Sequence, residues 1–125
     1  MSSHPSTILV IEDDTDFRFM LNMWLRTAGY QVLEASHGGE GIELACTQRP
    51  NLIFMDLKMP VLDGLEATAR LRQDEDTRHI PIIAISEHCW DHLWRHKALA
   101  LGCVECMDKG KLIQNMDSLL QHYLN

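Results

Sequence analysis

The sequence predicts an α/β protein: a doubly wound, five-stranded parallel sheet with helices on both faces, a three-layer sandwich. Three observations carry this. Apolar runs of strand length, T-I-L-V-I at 7–11, L-I-F-M at 52–55 and I-I-A-I at 82–85, are separated by far more chain than a hairpin needs. The chain between them carries apolar residues at helical spacing. Each run also ends in polar side chains: Glu12, Asp13 and Asp14 after the first, Asp56 after the second and Ser86 after the third. Strict alternation of buried strand and amphipathic helix selects parallel pairing, because each crossover returns the chain right-handedly to the sheet.

In chain order, the first strand leads into the clearest helix of the sequence, with Phe17, Met20, Leu21, Trp24, Leu25 and Ala28 on one face and Gly29 as its stop. A strand at 31–35 and a helix from Gly39 to about Gln48, closed by Pro50, form the second unit. The central strand at 52–55 follows. Met59-Pro60 and Asp63-Gly64 read as loop, and 65 to about 73 as helix. A polar connection at 74–78 and Pro81 introduce the fourth strand. A helix is expected from about His88 to Leu101, with Trp90, Leu93, Trp94, Ala98 and Leu101 on one face and Gly102 as its stop. A strand at 104–107 and a helix bearing Ile113, Met116, Leu120 and Leu124 complete (βα)5. Five such units match the flavodoxin-like strand order 2-1-3-4-5, whose ligand crevice lies between the carboxyl ends of strands one and three. Glu12 and Asp13 are then expected to face Asp56.

A chain of 125 residues forms one domain with a sufficient core of its own; residues 1–6 are expected to be a loose tail and 7–125 the folded unit. Acidic residues outnumber basic ones 18 to 11, for a net charge of -7, which argues against a nucleic-acid surface and against anionic lipid. Without an apolar run near membrane-spanning length or a signal-peptide layout, the expected location is the cytoplasm. Cys46, Cys89, Cys103 and Cys106 are irregularly spaced and are expected as free thiols. The lone C-x-x-C of Cys103 and Cys106, if placed on a strand, would point its sulfurs to opposite faces, which opposes joint ligation.

Three carboxylates in one crevice repel by about 4 kcal/mol per pair at ~4 Å and an effective dielectric near ~20. A hard oxygen set with room for water suits Mg2+ shared with phosphate oxygens. A carboxylate can also attack a phosphoryl donor to give an acyl phosphate, provided the phosphoryl oxygens are stabilised. Lys109 at the end of strand five can supply a cation and Ser86 a hydroxyl. A flavodoxin-type cofactor site is excluded by E-D-D where a phosphate loop rich in glycine and hydroxyls would stand.

The segments I-L-V-I-E-D-D, L-I-F-M-D-L-K-M-P-V-L-D-G, P-I-I-A-I-S and M-D-K together resemble the receiver domain of two-component response regulators, the CheY-like fold, over essentially the whole chain. The resemblance implies Asp56 as phosphoacceptor, and Glu12, Asp13, Asp56 and the backbone carbonyl of Lys58 as Mg2+ ligands. It further implies Ser86 as the hydroxyl switch and Lys109 as the phosphate-binding lysine. The implied role is a signalling switch rather than an enzyme, phosphorylated by a sensor histidine kinase or a histidine phosphotransfer protein. It would engage a downstream target through helix four, strand five and helix five, with homodimerisation left open. The alternatives are a receiver-like scaffold that is never phosphorylated and a phosphatase of haloacid-dehalogenase type. The latter wants an acid two residues past its nucleophile, where this chain has Lys58.

Three positions depart from the family pattern. Gly110 replaces the usual proline after the lysine, which predicts a less rigidly held Lys109. Glu87 follows Ser86 where a small residue is usual, which predicts slow uptake from small phosphodonors unless Lys58 pairs with it. Cys106 stands where many receivers carry a switching aromatic residue. His88, His92 and His96 recur at i, i+4 spacing beside Trp90 and Trp94; zinc binding at such a spacing is weighed below a solvated or partner-facing stripe, whose titration could make partner binding pH-dependent.

Overall fold

The computed structural model describes residues 5–58, 63–87, 89 and 91–124. The strands are β1 (Thr7–Ile11), β2 (Gln31–Ala35), β3 (Leu52–Asp56), β4 (Ile82–Ser86) and β5 (Glu105–Asp108). The helices are α1 (Thr15–Thr27), α2 (Gly38–Gln48), α3 (Gly64–Gln73), α4 (His92–Leu101) and α5 (Leu112–Leu124), with a short 3-10 turn at Lys109–Lys111. All pairings are parallel, in the order β2-β1-β3-β4-β5.

Side-chain alternation along the strands divides the core into two layers. Leu9 and Ile11, Ile53 and Met55, and Ile82 and Ala84 face one side, where Ala45 of α2, Ala67 and Leu71 of α3 and Ala98 of α4 cover them. Ile8 and Val10, Leu52 and Phe54, and Ile83 and Ile85 face the other, under Leu21 and Leu25 of α1 and Leu112, Met116, Leu119 and Leu120 of α5. The central strands are buried on both faces, which is why they read as continuous apolar runs.

Order begins before the first strand: the carbonyl of Ser6 accepts the Gln31 amide at 3.0 Å. At the other edge, β5 starts one residue later than expected, with Val104 40% exposed. The fourth helix also starts later, at His92, because Asp91 caps it by accepting the Leu93 amide at 2.9 Å. Its expected apolar face is corrected too. Ala98 is buried and Trp94 packs on the core, but Leu93 is 60% exposed and Leu101 lies at the surface. Trp90, His88, Met59 and Pro60 lie outside the described residues. Both glycines expected to stop helices, Gly29 and Gly102, take positive φ.

The cysteine expectation is overturned for two of the four. Cys89 and Cys106 form a disulfide, while Cys46 and Cys103 are free. Irregular spacing in sequence conceals proximity in the fold, since parallel pairing sets Cys106 beside Ala84, five residues before Cys89. The strand premise for C-x-x-C fails as well. Cys103 precedes β5, and both sulfurs enter the same core layer, Cys103 lying 3.6 Å from the Thr68 hydroxyl. No helix among the described residues is long and apolar enough to cross a membrane.

Candidate functional site

The carboxyl ends of the strands assemble the site. The β1–β3 register pairs Ile11 with Met55, so Glu12 and Asp56, the next residues, emerge side by side. The β3–β4 register pairs Asp56 with Ile85, and β4–β5 pairs Ser86 with Asp108, which places Ser86 and Lys109 on the same rim. A crevice of about 230 Å³ results, lined by Asp13, Asp14, Asp56, Lys58, Ser86, Glu87 and Lys109. Every acid, hydroxyl and cation expected there is present, and Glu12 lies just beneath.

Local backbone chemistry fixes each group. Asp14, rather than Glu12 or Asp13, caps α1, accepting the amides of Asp16 and Phe17. This leaves the two preceding acids for the crevice. Glu12 is fully buried; its Oε2 accepts the Asp14 amide at 3.1 Å, and its carbonyl accepts Arg18 Nη1 at 2.7 Å. Asp56 is 2% exposed, and its Oδ1 accepts the Lys58 amide at 3.2 Å. Gly64 permits the loop beyond β3 to fold back: a Cβ there would collide with the Asp56 carbonyl oxygen and the Leu57 backbone, and the Gly64 amide donates to the Leu57 carbonyl at 3.1 Å. Asp63 then caps α3, accepting the Glu66 amide at 2.8 Å.

Lys109 is held from three directions. Its Nζ lies 2.7 Å from Glu12 Oε1, 3.6 Å from Asp56 Oδ2 and 5.1 Å from the centroid of the Phe17 ring. The expectation of a loosely held lysine is therefore corrected. The turn after it needs no proline, because Asp108 Oδ1 accepts the Gly110 amide at 2.8 Å. All peptide bonds among the described residues are trans. The 2.7 Å contact to the fully buried Glu12 is a close ion pair.

Protonation divides between the acids. Burial, then the shared proton and negative charge of Glu12 and Asp13, push the Asp56 carboxyl up to about 9 against the pull of Lys109. Burial acts on Asp13 in the same sense, but sharing with Asp56 and Glu12 outweighs it and holds Asp13 below the usual carboxylate value. Burial alone would lower Lys109; the carboxylates of Glu12, Asp56 and Glu87 together raise it, so the ammonium stays charged. Asp56 therefore resists ionisation unless a cation offsets its neighbours.

That arrangement fits a divalent metal. Glu12, Asp13 and Asp56 each offer a carboxylate oxygen within 4.8 Å of the others. An all-oxygen set open to water is the environment Mg2+ takes. No other such cluster occurs among the described residues. His92 and His96 are exposed on α4, with no third ligand beside them among the described residues.

Sequence reasoning missed Phe17 beside the lysine, the Asp108 support and the disulfide. Phe17 carries a signal only as one more apolar residue of the α1 stripe.

Comparison with known proteins agrees with this geometry. A family described as "Response regulator receiver domain" matches residues 8–121. Protein PilH of Pseudomonas aeruginosa is 38% identical over 116 residues, covering 90% of this chain and 96% of PilH. Among solved structures, the Vibrio cholerae chemotaxis protein CheY4 superposes with a TM-score of 0.89 at 25% identity, over 96% of this chain and 99% of its own. The receiver domain of a Pseudomonas aeruginosa sensor histidine kinase, with magnesium coordinated in its active site cleft, gives 0.87 at 30% identity, over 95% and 97%. With that fold and an acidic crevice suited to Mg2+, the chain belongs to the response regulator receiver domain family, the phosphoryl-accepting modules of two-component signalling.

Proposed function

We propose that Asp56 is the phosphoacceptor of this receiver, taking its phosphoryl group from a phosphohistidine on a sensor histidine kinase or histidine phosphotransfer protein. One observation carries the assignment: Lys109 Nζ, held 3.6 Å from Asp56 Oδ2 and 2.7 Å from Glu12, stands in the same crevice as Ser86. Glu12, Asp13, Asp56 and the Lys58 carbonyl are the residues that would hold Mg2+. When bound, Mg2+ supplies positive charge that favours ionised Asp56 and offsets charge on phosphoryl oxygens.

The remaining chemistry belongs to the chain. An Asp56 oxygen attacks phosphorus as the P–N bond to imidazole breaks; the imidazole leaves with the electron pair and takes up a proton. Lys109 neutralises a phosphoryl oxygen, and the Ser86 hydroxyl donates to another, drawing the end of β4 toward Asp56. The consequence is altered contact between the α4, β5 and α5 face and a target protein. The chain acts in the cytoplasm as a switch without turnover of its own, with residues 7–125 as the working unit and no nucleic-acid or membrane surface.

Borohydride reduction of the phosphorylated protein, followed by peptide mass mapping, tests the assignment, because an aspartyl phosphate is reduced to homoserine. Homoserine at position 56 is the expected result; homoserine at Asp13, or at neither, overturns it.

A further inference from the structure

We propose that the Cys89–Cys106 bond is a reversible thiol–disulfide switch that sets the freedom of α4, and with it the coupling of the phosphoryl site to the signalling face. The coupling part rests on the assignment of Asp56 and Ser86 above. The bond occupies an unusual place for a structural cross-link. Cys89 lies three residues after Ser86, and Cys106 lies three residues before Lys109, with Cα atoms 5.8 Å apart. It therefore ties together the two segments that leave the crevice through its hydroxyl and its cation. The ring it closes, residues 89–106, contains the whole of α4.

Beyond the bond, that helix is held by its packing against α3 and β5. Ala98 is its one buried residue, Trp94 packs on the core only in part, and Leu93 and Leu99 are 60% and 42% exposed. Arg95 adds a hydrogen bond from Nη1 to the carbonyl of Cys106 itself, at 3.1 Å. A covalent tie thus adds to a modest noncovalent attachment of α4 to β5. The rest of the core does not depend on it alone, since α2 and α3 cover most of one layer and α1 and α5 the other. With the bond formed, the chain after Ser86 stays anchored to β5 when the hydroxyl is drawn toward a phosphoryl group. With the bond open, that chain and α4 are free to follow.

The co-reactant is a dithiol. One of its thiolates attacks a cysteine Sγ and forms a mixed disulfide, while the Sγ–Sγ bond breaks and the other cysteine leaves as a thiolate that takes up a proton. The second thiol of the dithiol then closes its own disulfide and releases the remaining cysteine as a thiol. Two electrons and two protons pass from the dithiol to the cysteine pair. Both sulfurs are buried, Cys89 at 4% and Cys106 at 3% exposure, so exchange awaits their uncovering.

The test equilibrates the full chain with dithiothreitol or with its oxidised form, then alkylates it for mass mapping and follows amide exchange. The expected result is a bond that opens and re-forms at Cys89 and Cys106, with 92–101 exchanging at least tenfold faster once it is open. The central-strand amides of 52–56 change less than twofold. Cys89→Ser should match the reduced protein and ignore dithiothreitol. A pair that cannot be cycled, or α4 exchange that differs less than twofold between states, overturns the switch. Beryllofluoride with Mg2+ then reads the coupling: the reduced form should bind at least fivefold tighter, and equal affinities overturn the coupling. Binding by neither form counts against the Asp56 assignment, while the switch itself is still judged by cycling and exchange.

Discussion

Asp56 combines two properties that oppose each other until a cation arrives. As the proposed phosphoacceptor it would have to ionise to attack phosphorus, yet burial and two acidic neighbours push its carboxyl up to about 9. Near neutral pH the metal-free site therefore favours the protonated carboxyl, and Mg2+ binding is expected to release a proton. The sign follows: affinity for Mg2+ should rise with pH, by up to about tenfold per unit for one released proton, and level off once Asp56 ionises unaided. Calorimetric titration at several pH values, in buffers of different ionisation enthalpy, measures both effects. An affinity flat between pH 6.5 and 8.5, with no proton release, would contradict the account. Glu87, next to Ser86, lines the same crevice. Its charge adds to those holding Lys109 positive, but it also lines the route of an incoming anion. Glu87→Ala should speed uptake from acetyl phosphate by roughly two- to fivefold at low salt, less as salt screens the charge. An unchanged rate at low salt would remove Glu87 from the entry path.

At the scale of elements, the loop beyond β3 shows what a sequence displays and what it hides. Asp63 and Gly64 read as loop chemistry, and they are the cap and the first residue of α3. The reason glycine stands there is visible only in space, where the Asp56 carbonyl and Leu57 backbone occupy the volume of a Cβ. Gly64→Ala should lower stability by about 1–3 kcal/mol, the usual cost of overpacking a tight site, and weaken Mg2+ binding by displacing Asp56. Denaturant unfolding and a metal titration measure the two. Unchanged stability would mean that the loop relaxes freely. Elements buried on both sides were legible because nothing competes with their apolar runs. The fourth helix was legible only in part: its apolar residues repeat at helical spacing, but the cap at Asp91 sets its start and solvent takes Leu93. Arg72 was invisible for a related reason. It looks like one more surface charge of α3, yet it donates to the carbonyls of Gly102, Arg78 and Ile80, which lie far along the chain or beyond a turn.

Across the whole molecule, strand order does the work of bringing distant residues together. Glu12, Asp56, Ser86 and Lys109 are widely separated in sequence, and parallel pairing in the order 2-1-3-4-5 delivers all four to one end of the sheet. Alternation of strand and helix makes that order legible, and with it the convergence of these four residues. The same topology brought Cys89 to Cys106, which no pattern of spacing announces. The mutual repulsion of the acids and the lysine poised among them make sense together as a site awaiting a cation and a phosphoryl group. The most direct measurement is intact mass after incubation with Mg2+ and acetyl phosphate, for the wild type and for Asp56→Asn. The account predicts the added mass of one phosphoryl group in the wild type, its loss when the metal is chelated, and none in the variant. Equal labelling of the variant, or none in the wild type even with a phosphorylated histidine donor, would contradict it.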